Sequence, residues 1–314
     1  MTRRTLLLSS AAVLAAPRLT PKQRIDRVLK GQDVDRTPFT YWYHFGLEKS
    51  PGSHHAKATL DFHRNFRTDL VKVMSDYAFP RPAGTWYELR VNTTPFPEQL
   101  RALGIIDQAL RGRVYFIETI FNPWNVAEKL SSKEEVLRLK EENPTALLEA
   151  LQAIAESEAA YAKKAVNAGA AGVFLAIANA QEGVLTQEEY ARFSEPFDKL
   201  ILNAVSSAPL NVLHLHGERV YLDRFTSGWA AAAIHYSAHA TGTSLETMRE
   251  QYPGVLIGGI DERNFRTLRE PELREQRQAA EQAAGKRFIL APGCSAPNET
   301  TDAELLRLTK IVGA

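Results

Sequence analysis

From residue 21 onward the chain alternates short apolar runs with longer amphipathic stretches, and this alternation is its main structural signal. The apolar runs draw on β-branched and aromatic residues, and Gly, Pro, Asn or Asp closely follows most of them, as strands require. They occupy 39–45, 70–76, 114–120, 171–176, 210–215, 231–236, 255–260 and 288–291. Helical spacing fills 21–30, 58–66, 98–110, 133–139, 144–167, 187–206, 221–226, 244–251, 270–284 and 302–311. The Ala-rich stretch 144–167 is stopped by Gly169, a helix-terminating glycine. Residues 48–57 carry Pro, Gly and Ser and read as an exposed loop with His54 and His55 in solvent.

Strands alternating with helices predict an α/β fold with a parallel sheet, and eight strands are the number that closes a (β/α)8 TIM barrel. No break in composition divides 21–314, so the barrel is expected to be one domain. An open doubly wound sheet is the competing architecture. Its usual companion, a G-x-G-x-x-G or Walker loop, does not occur in the chain.

Residues 1–20 are different in kind. Arg3-Arg4 precedes an apolar run from Leu6 to Ala16 and then Pro17, the layout of an export signal, and the paired arginines point to the twin-arginine route. A periplasmic or otherwise extracytoplasmic location follows from that reading. An unprocessed N-terminal arm on a cytoplasmic protein is the alternative.

The formal charge of +1 gives no electrostatic reason to expect nucleic acid or an anionic membrane as partner, and no run reaches the roughly 18 apolar residues of a membrane span. One cysteine, Cys294, excludes an intrachain disulfide and leaves a free thiol.

A barrel carries its active site at the C-terminal ends of its strands. Standing there are His44, Asp76, Glu118 or Asn122, residues 179–182, His214 with His216, residues 235–239, Asp261 and Cys294. In a strand His214 and His216 share a face, and with Cys294 they make a zinc-sized ligand set if the fold brings them together. Two packed histidines and an ordinary buried cysteine are the plain alternative. Asp76 serves as a general base, a fourth ligand or a helix cap. Glu182 is a ligand, a base or a surface acid, and His44 ends the first strand as a site residue. Tyr41, Trp42, Tyr43 and Phe45 offer walls for a flat or apolar substrate, although alternate members must pack inward.

Several segments, in order, resemble the uroporphyrinogen decarboxylase superfamily. They are residues 22–31 leading to Val34-Asp35-Arg36-Thr37-Pro38, then Ser75-Asp76, then Gly258-Gly259-Ile260-Asp261, then Ala291-Pro292-Gly293-Cys294. The resemblance implies the barrel across the whole of 21–314. The family's decarboxylases carry an Arg-Gln-Ala-Gly-Arg-Tyr motif for substrate carboxylates, whereas this chain reads Tyr41-Trp42-Tyr43-His44-Phe45-Gly46 there, with no arginine. The family's cobalamin- and thiol-dependent methyltransferases carry a zinc motif similar to His-x-Cys…Cys. Matched to it, His214, His216 and Cys294 become the zinc ligands, with imidazole in place of one thiolate. That exchange would leave the metal more Lewis acidic.

The resemblance thus implies zinc-assisted methyl transfer, or related chemistry, on a small substrate, with Asp76 handling a proton. A corrinoid enters as a further cofactor, and a corrinoid protein or a second copy of the chain as partner. The alternatives are a decarboxylase acting through Asp76 on a porphyrinogen or smaller carboxylate, and a non-catalytic barrel that binds a tetrapyrrole or corrinoid.

Overall fold

The computed structural model describes residues 18–314. The export segment expected over 1–20 lies outside the described residues except for its last three, of which Thr20 caps helix α1 (Pro21–Leu29) in a capping box with Gln23. Seven strands follow: β1 (Leu70–Val73), β2 (Tyr115–Phe121), β3 (Val173–Ile177), β4 (Val212–Leu215), β5 (Ala233–Tyr236), β6 (Val255–Ile260) and β7 (Phe288–Pro292). Each is parallel to its neighbour, and they lie in sequence order. Helices intervene, which is what parallel connection requires.

The eighth position belongs to the segment predicted as the first strand, but only Phe39 pairs in the regular way, opposite Leu290. On the β7 side Thr40 N–H donates to Leu290 O at 3.0 Å, and Leu290 N–H donates to Pro38 O at 2.9 Å. On the β1 side Asp69 N–H donates to Phe39 O at 2.9 Å, while the Thr40 hydroxyl donates to Leu70 O at 2.8 Å. Pro38 has no N–H to give, and a side-chain hydroxyl takes up one carbonyl of β1, so this stretch closes the ring without becoming a regular strand. The seam is clamped by buried Asp69, which accepts from Phe39 N–H at 3.1 Å and pairs with Arg24 and Arg36 at 2.5 Å each. The architecture is the (β/α)8 barrel, with seven regular strands among the described residues.

Alternation with period two sorts each strand between barrel interior and helix layer. Leu70, Ile117, Phe174, Val212, Ala233, Ile257 and Ile289 pack together inside. Their neighbours Leu175, Leu213, Ile234, Leu256 and Leu290 pack beneath the helices. Lys72 shares the inward parity of Leu70, His214 that of Val212, and His235 that of Ala233. Register then sets Ala176, His214, His235 and Ile257 side by side across β3 to β6.

Two helical expectations change. Residues 48–57 are not an exposed loop, because α2 runs over Gly52–Phe66. It begins at Gly52, whose N–H donates to Glu98 Oε2 at 2.8 Å and whose missing Cβ would stand 2.1 Å from Glu98 O. His54 is exposed as expected, whereas His55 is fully buried. The helix expected over 187–206 is split into two, Gln187–Phe193 and Glu195–Ala204, with Pro196 opening the second.

Candidate metal centre and substrate cavity

His214 ends the inward row of β4, and His216 follows where the strand stops, just before Gly217 turns at φ 141°. Cys294 lies two residues past β7. The fold brings the three together. Cys294 Sγ is 3.8 Å from His214 Nε2 and 3.5 Å from His216 Nδ1, and the three donor atoms lie within 4.8 Å of one another. Tetrahedral zinc, with bonds of about 2.3 Å to sulfur and 2.0 Å to nitrogen, holds such donors about 3.5 Å apart. The donor set therefore fits zinc in kind and in spacing.

The protonation of this set follows from its neighbours. His235 Nε2 is 2.9 Å from Pro292 O, and a carbonyl can only accept, so that nitrogen carries hydrogen. Burial holds the His235 imidazole down to about 4, so it is neutral and its Nδ1 is an acceptor. His214 Nδ1, 2.7 Å away, must then donate to it. Burial first, then the neighbouring His235, His216 and Lys72, keep His214 well below the ordinary histidine value. What remains on His214 is a free lone pair at Nε2, aimed at the cluster. For His216 the Cys294 hydrogen bond raises the imidazole above its usual value. Burial alone would push the Cys294 thiol up, but the His216 hydrogen bond and charge outweigh it and hold the thiol below its usual value.

The cluster opens on a cavity of about 490 Å³ with walls from Trp42, Met74, Phe121 and Phe174. Lys72 stands in it, held down to about 7 by burial, with its ammonium 4.9 Å from the Trp42 ring and 4.8 Å from the Phe174 ring. A second cavity of about 300 Å³ adjoins the first and shares His44, Thr119, Phe121 and Lys129 with it. Asp76 lines this second cavity. Its carboxylate is 3.1 Å from His44 Nδ1 and 3.8 Å from His55 Nε2. Burial works to raise Asp76, and the His44 hydrogen bond with both imidazole charges brings it below the ordinary carboxylate value.

Of the residues singled out in the sequence, His214, His216, Cys294 and His44 line the first cavity, and Asp76 meets it through His44. Glu182 does not join them, which corrects its expected place. It is exposed on the loop after β3, turned toward Arg219 at 3.4 Å, because Glu182 N–H is tied to Arg219 O. Other rim candidates are structural. Glu118 has outward parity and accepts from Tyr161 and Gln99 beneath the helices. Asn122 caps the helix Pro123–Leu130 and binds Asn179. Asp261 holds its own turn through Asn264.

Three residues carry more than sequence reasoning gave them. His235 was visible as a rim histidine, but its bond to His214 needs the register of β4 on β5. His55 was hidden by the misread loop. Lys72 had a signal, a lone charge inside an apolar run.

Comparison with known proteins gives the same frame. A family model described as uroporphyrinogen decarboxylase (URO-D) matches residues 85–314. No curated protein matches the sequence. Among solved structures, a methyltransferase from Methanosarcina mazei superposes with a TM-score of 0.75 at 19% identity, covering 94% of this chain and 99% of that one. A B12-independent methionine synthase from a Shewanella species, in complex with selenomethionine, superposes at 0.59 with 10% identity, covering 88% and 92%. At these identities the likeness is one of fold.

Proposed function

The chain belongs to the uroporphyrinogen decarboxylase family, and on that premise we propose that it is a metal-dependent enzyme carrying out methyl transfer, or closely related chemistry, on a small substrate. His214 Nε2, His216 Nδ1 and Cys294 Sγ would hold zinc at the barrel mouth. The single observation that carries this reading is the convergence of those three donors from two strands eighty residues apart in sequence. Two solved structures of like fold are a methyltransferase and a methionine synthase by description, which supports the same class of chemistry.

When bound, zinc supplies Lewis acidity to a thiol or oxygen nucleophile. The chain's own residues do the rest. His235 holds the His214 ring in one tautomer, so no proton must leave Nε2 before it can ligate. Trp42, Phe121 and Phe174 give the cavity aromatic walls that limit water beside the reacting atoms. Asp76, with His44 Nδ1 at 3.1 Å, can take or return a proton at the edge of the cavity. A corrinoid protein or a second copy of the chain is the macromolecular partner this chemistry would admit.

Metal analysis of the purified protein, compared with His216→Ala and Cys294→Ala, tests the proposal. About one zinc per wild-type chain, lost in both variants, is expected. A metal-free wild type whose melting is unchanged by added zinc would sink it.

A second reading has one observation in its favour. Asp76 is buried beside two histidines and lines a cavity of its own, as an acid that stabilises a protonated intermediate in decarboxylation would be. Carbon dioxide release without metal, abolished by Asp76→Asn, would favour it.

A further inference from the structure

The cavity in front of the candidate metal ligands is unbalanced in charge. Three lysines line it, Lys72, Lys129 and Lys133, and among the described residues none has a carboxylate oxygen within ion-pair distance. The one acid in its walls, Glu128, is already engaged, accepting from Trp124 Nε1 at 2.9 Å and Asn125 Nδ2 at 3.2 Å.

Lys72 is the deepest of the three. It sits on β1 with only 7% of its surface exposed, pointing to the barrel interior where its neighbours in parity are Leu70 and Met74. Packing alone would be served by leucine or methionine there, and an ammonium without an acid partner is costly to bury. Its Nζ donates to Met74 Sδ, a weak acceptor, at 2.8 Å and lies beside the aromatic faces of Trp42 and Phe174, which tolerate a cation, so its remaining hydrogen-bond donors are free for a ligand. Phe174 also stacks on His214, with ring centroids 4.9 Å apart. An anion bound to Lys72 would therefore lie one aromatic ring away from the ligand set.

We propose that this cavity is a binding site for a small organic anion with an apolar body, its carboxylate held by Lys72 Nζ and its body against Trp42, Phe121 and Phe174. The inference rests on the proposed function only in placing the reacting end of that molecule beside the metal ligands. Anion binding itself needs no metal.

The test uses the full chain, metal-stripped and zinc-loaded, and benzoate as probe, with benzamide as its neutral counterpart. Calorimetry is expected to show benzoate binding in both forms, no measurable benzamide binding, and at least a tenfold weaker benzoate affinity in Lys72→Met. Lys72→Met that retains benzoate affinity, or benzamide that binds as well as benzoate, overturns the proposal. If the variant does not fold, wild-type protein carrying ¹⁵N-lysine answers the same question. Benzoate must then shift the Lys72 ammonium resonance while benzamide leaves it in place, and the absence of that shift overturns the proposal. Benzoate binding in a protein that takes up no zinc would refute the metal reading and leave the anion site standing. Zinc uptake without benzoate binding would do the reverse.

Discussion

His235 Nδ1 stands 2.7 Å from His214 Nδ1, and that contact decides which nitrogen of His214 faces the metal cluster. Two imidazoles so close can share only one hydrogen, and Pro292 O assigns it by claiming the other face of His235. Replacing His235 by Phe keeps much of the ring's packing and removes the acceptor. Zinc affinity is expected to fall roughly tenfold to a hundredfold, the usual effect of losing a group that orients a metal-bound histidine. Competition against a zinc chelator measures it. Unchanged affinity would show that the His214 ring needs no such support.

The Cys294 thiol of metal-stripped protein should ionise at lower pH than an ordinary cysteine, because the His216 hydrogen bond and charge overcome the opposing effect of burial. The rate of alkylation by iodoacetamide, followed against pH, is expected to rise at a midpoint below that of a model thiol. His216→Ala takes away the favourable partner and leaves burial, so the midpoint should move upward. A midpoint that does not respond to His216 would separate the two residues.

Asp69 closes the ring, and its removal tests how much the seam contributes. Asp69→Ala takes one of two acid partners from Arg24, itself 4% exposed and still held by Asp35 at 2.8 Å, and frees Arg36 and Phe39 N–H. The loss of stability is expected to be about 1–3 kcal/mol, the usual cost of leaving buried hydrogen-bond donors without their acceptor. Urea denaturation of the two proteins gives the number. A change below about 1 kcal/mol, the scale of an exposed pair, would mean that the seam is held by backbone contacts alone.

Export is the remaining proposal from the N-terminal segment. Cell fractionation of the full chain is expected to place it outside the cytoplasm, and Arg3→Lys with Arg4→Lys to retain it inside. Equal distribution of the two proteins would refute twin-arginine export.

Much of this molecule is legible from its pattern because a parallel barrel repeats one simple rule. Each strand is buried on both faces, so 255–260 or 288–291 stands out as an unbroken apolar run. His214 and His216 were legible through period two, and Cys294 through its place after the last such run. Three things were not. The segment at Phe39 has strand composition, yet its pairing depends on Pro38 and on a Thr40 hydroxyl, choices that three-dimensional contact makes. His55 reads as loop because Pro51 and Gly52 look like turn residues, whereas Gly52 is there to let α2 touch the backbone at Glu98. Glu182 has the right place in sequence and the wrong direction, since the bond from its N–H to Arg219 O fixes the loop with the side chain outward.

The seam described for Pro38–Thr40 also makes the mouth mechanically uneven. His214 and His235 hang from strands gripped on both sides, so that half of the rim is stiff. Trp42 and His44, by contrast, hang just past a single regular pairing at Phe39, with Ala296 N–H on Trp42 O at 2.8 Å as a further tether.

 A ligand entering the cavity would thus meet one wall that yields and one that does not. Because the Trp42 ring also packs edge-on against Phe174 and His235, at 5.2 and 5.1 Å between centroids, a shift on the yielding side would be felt by the two rings that hold His214.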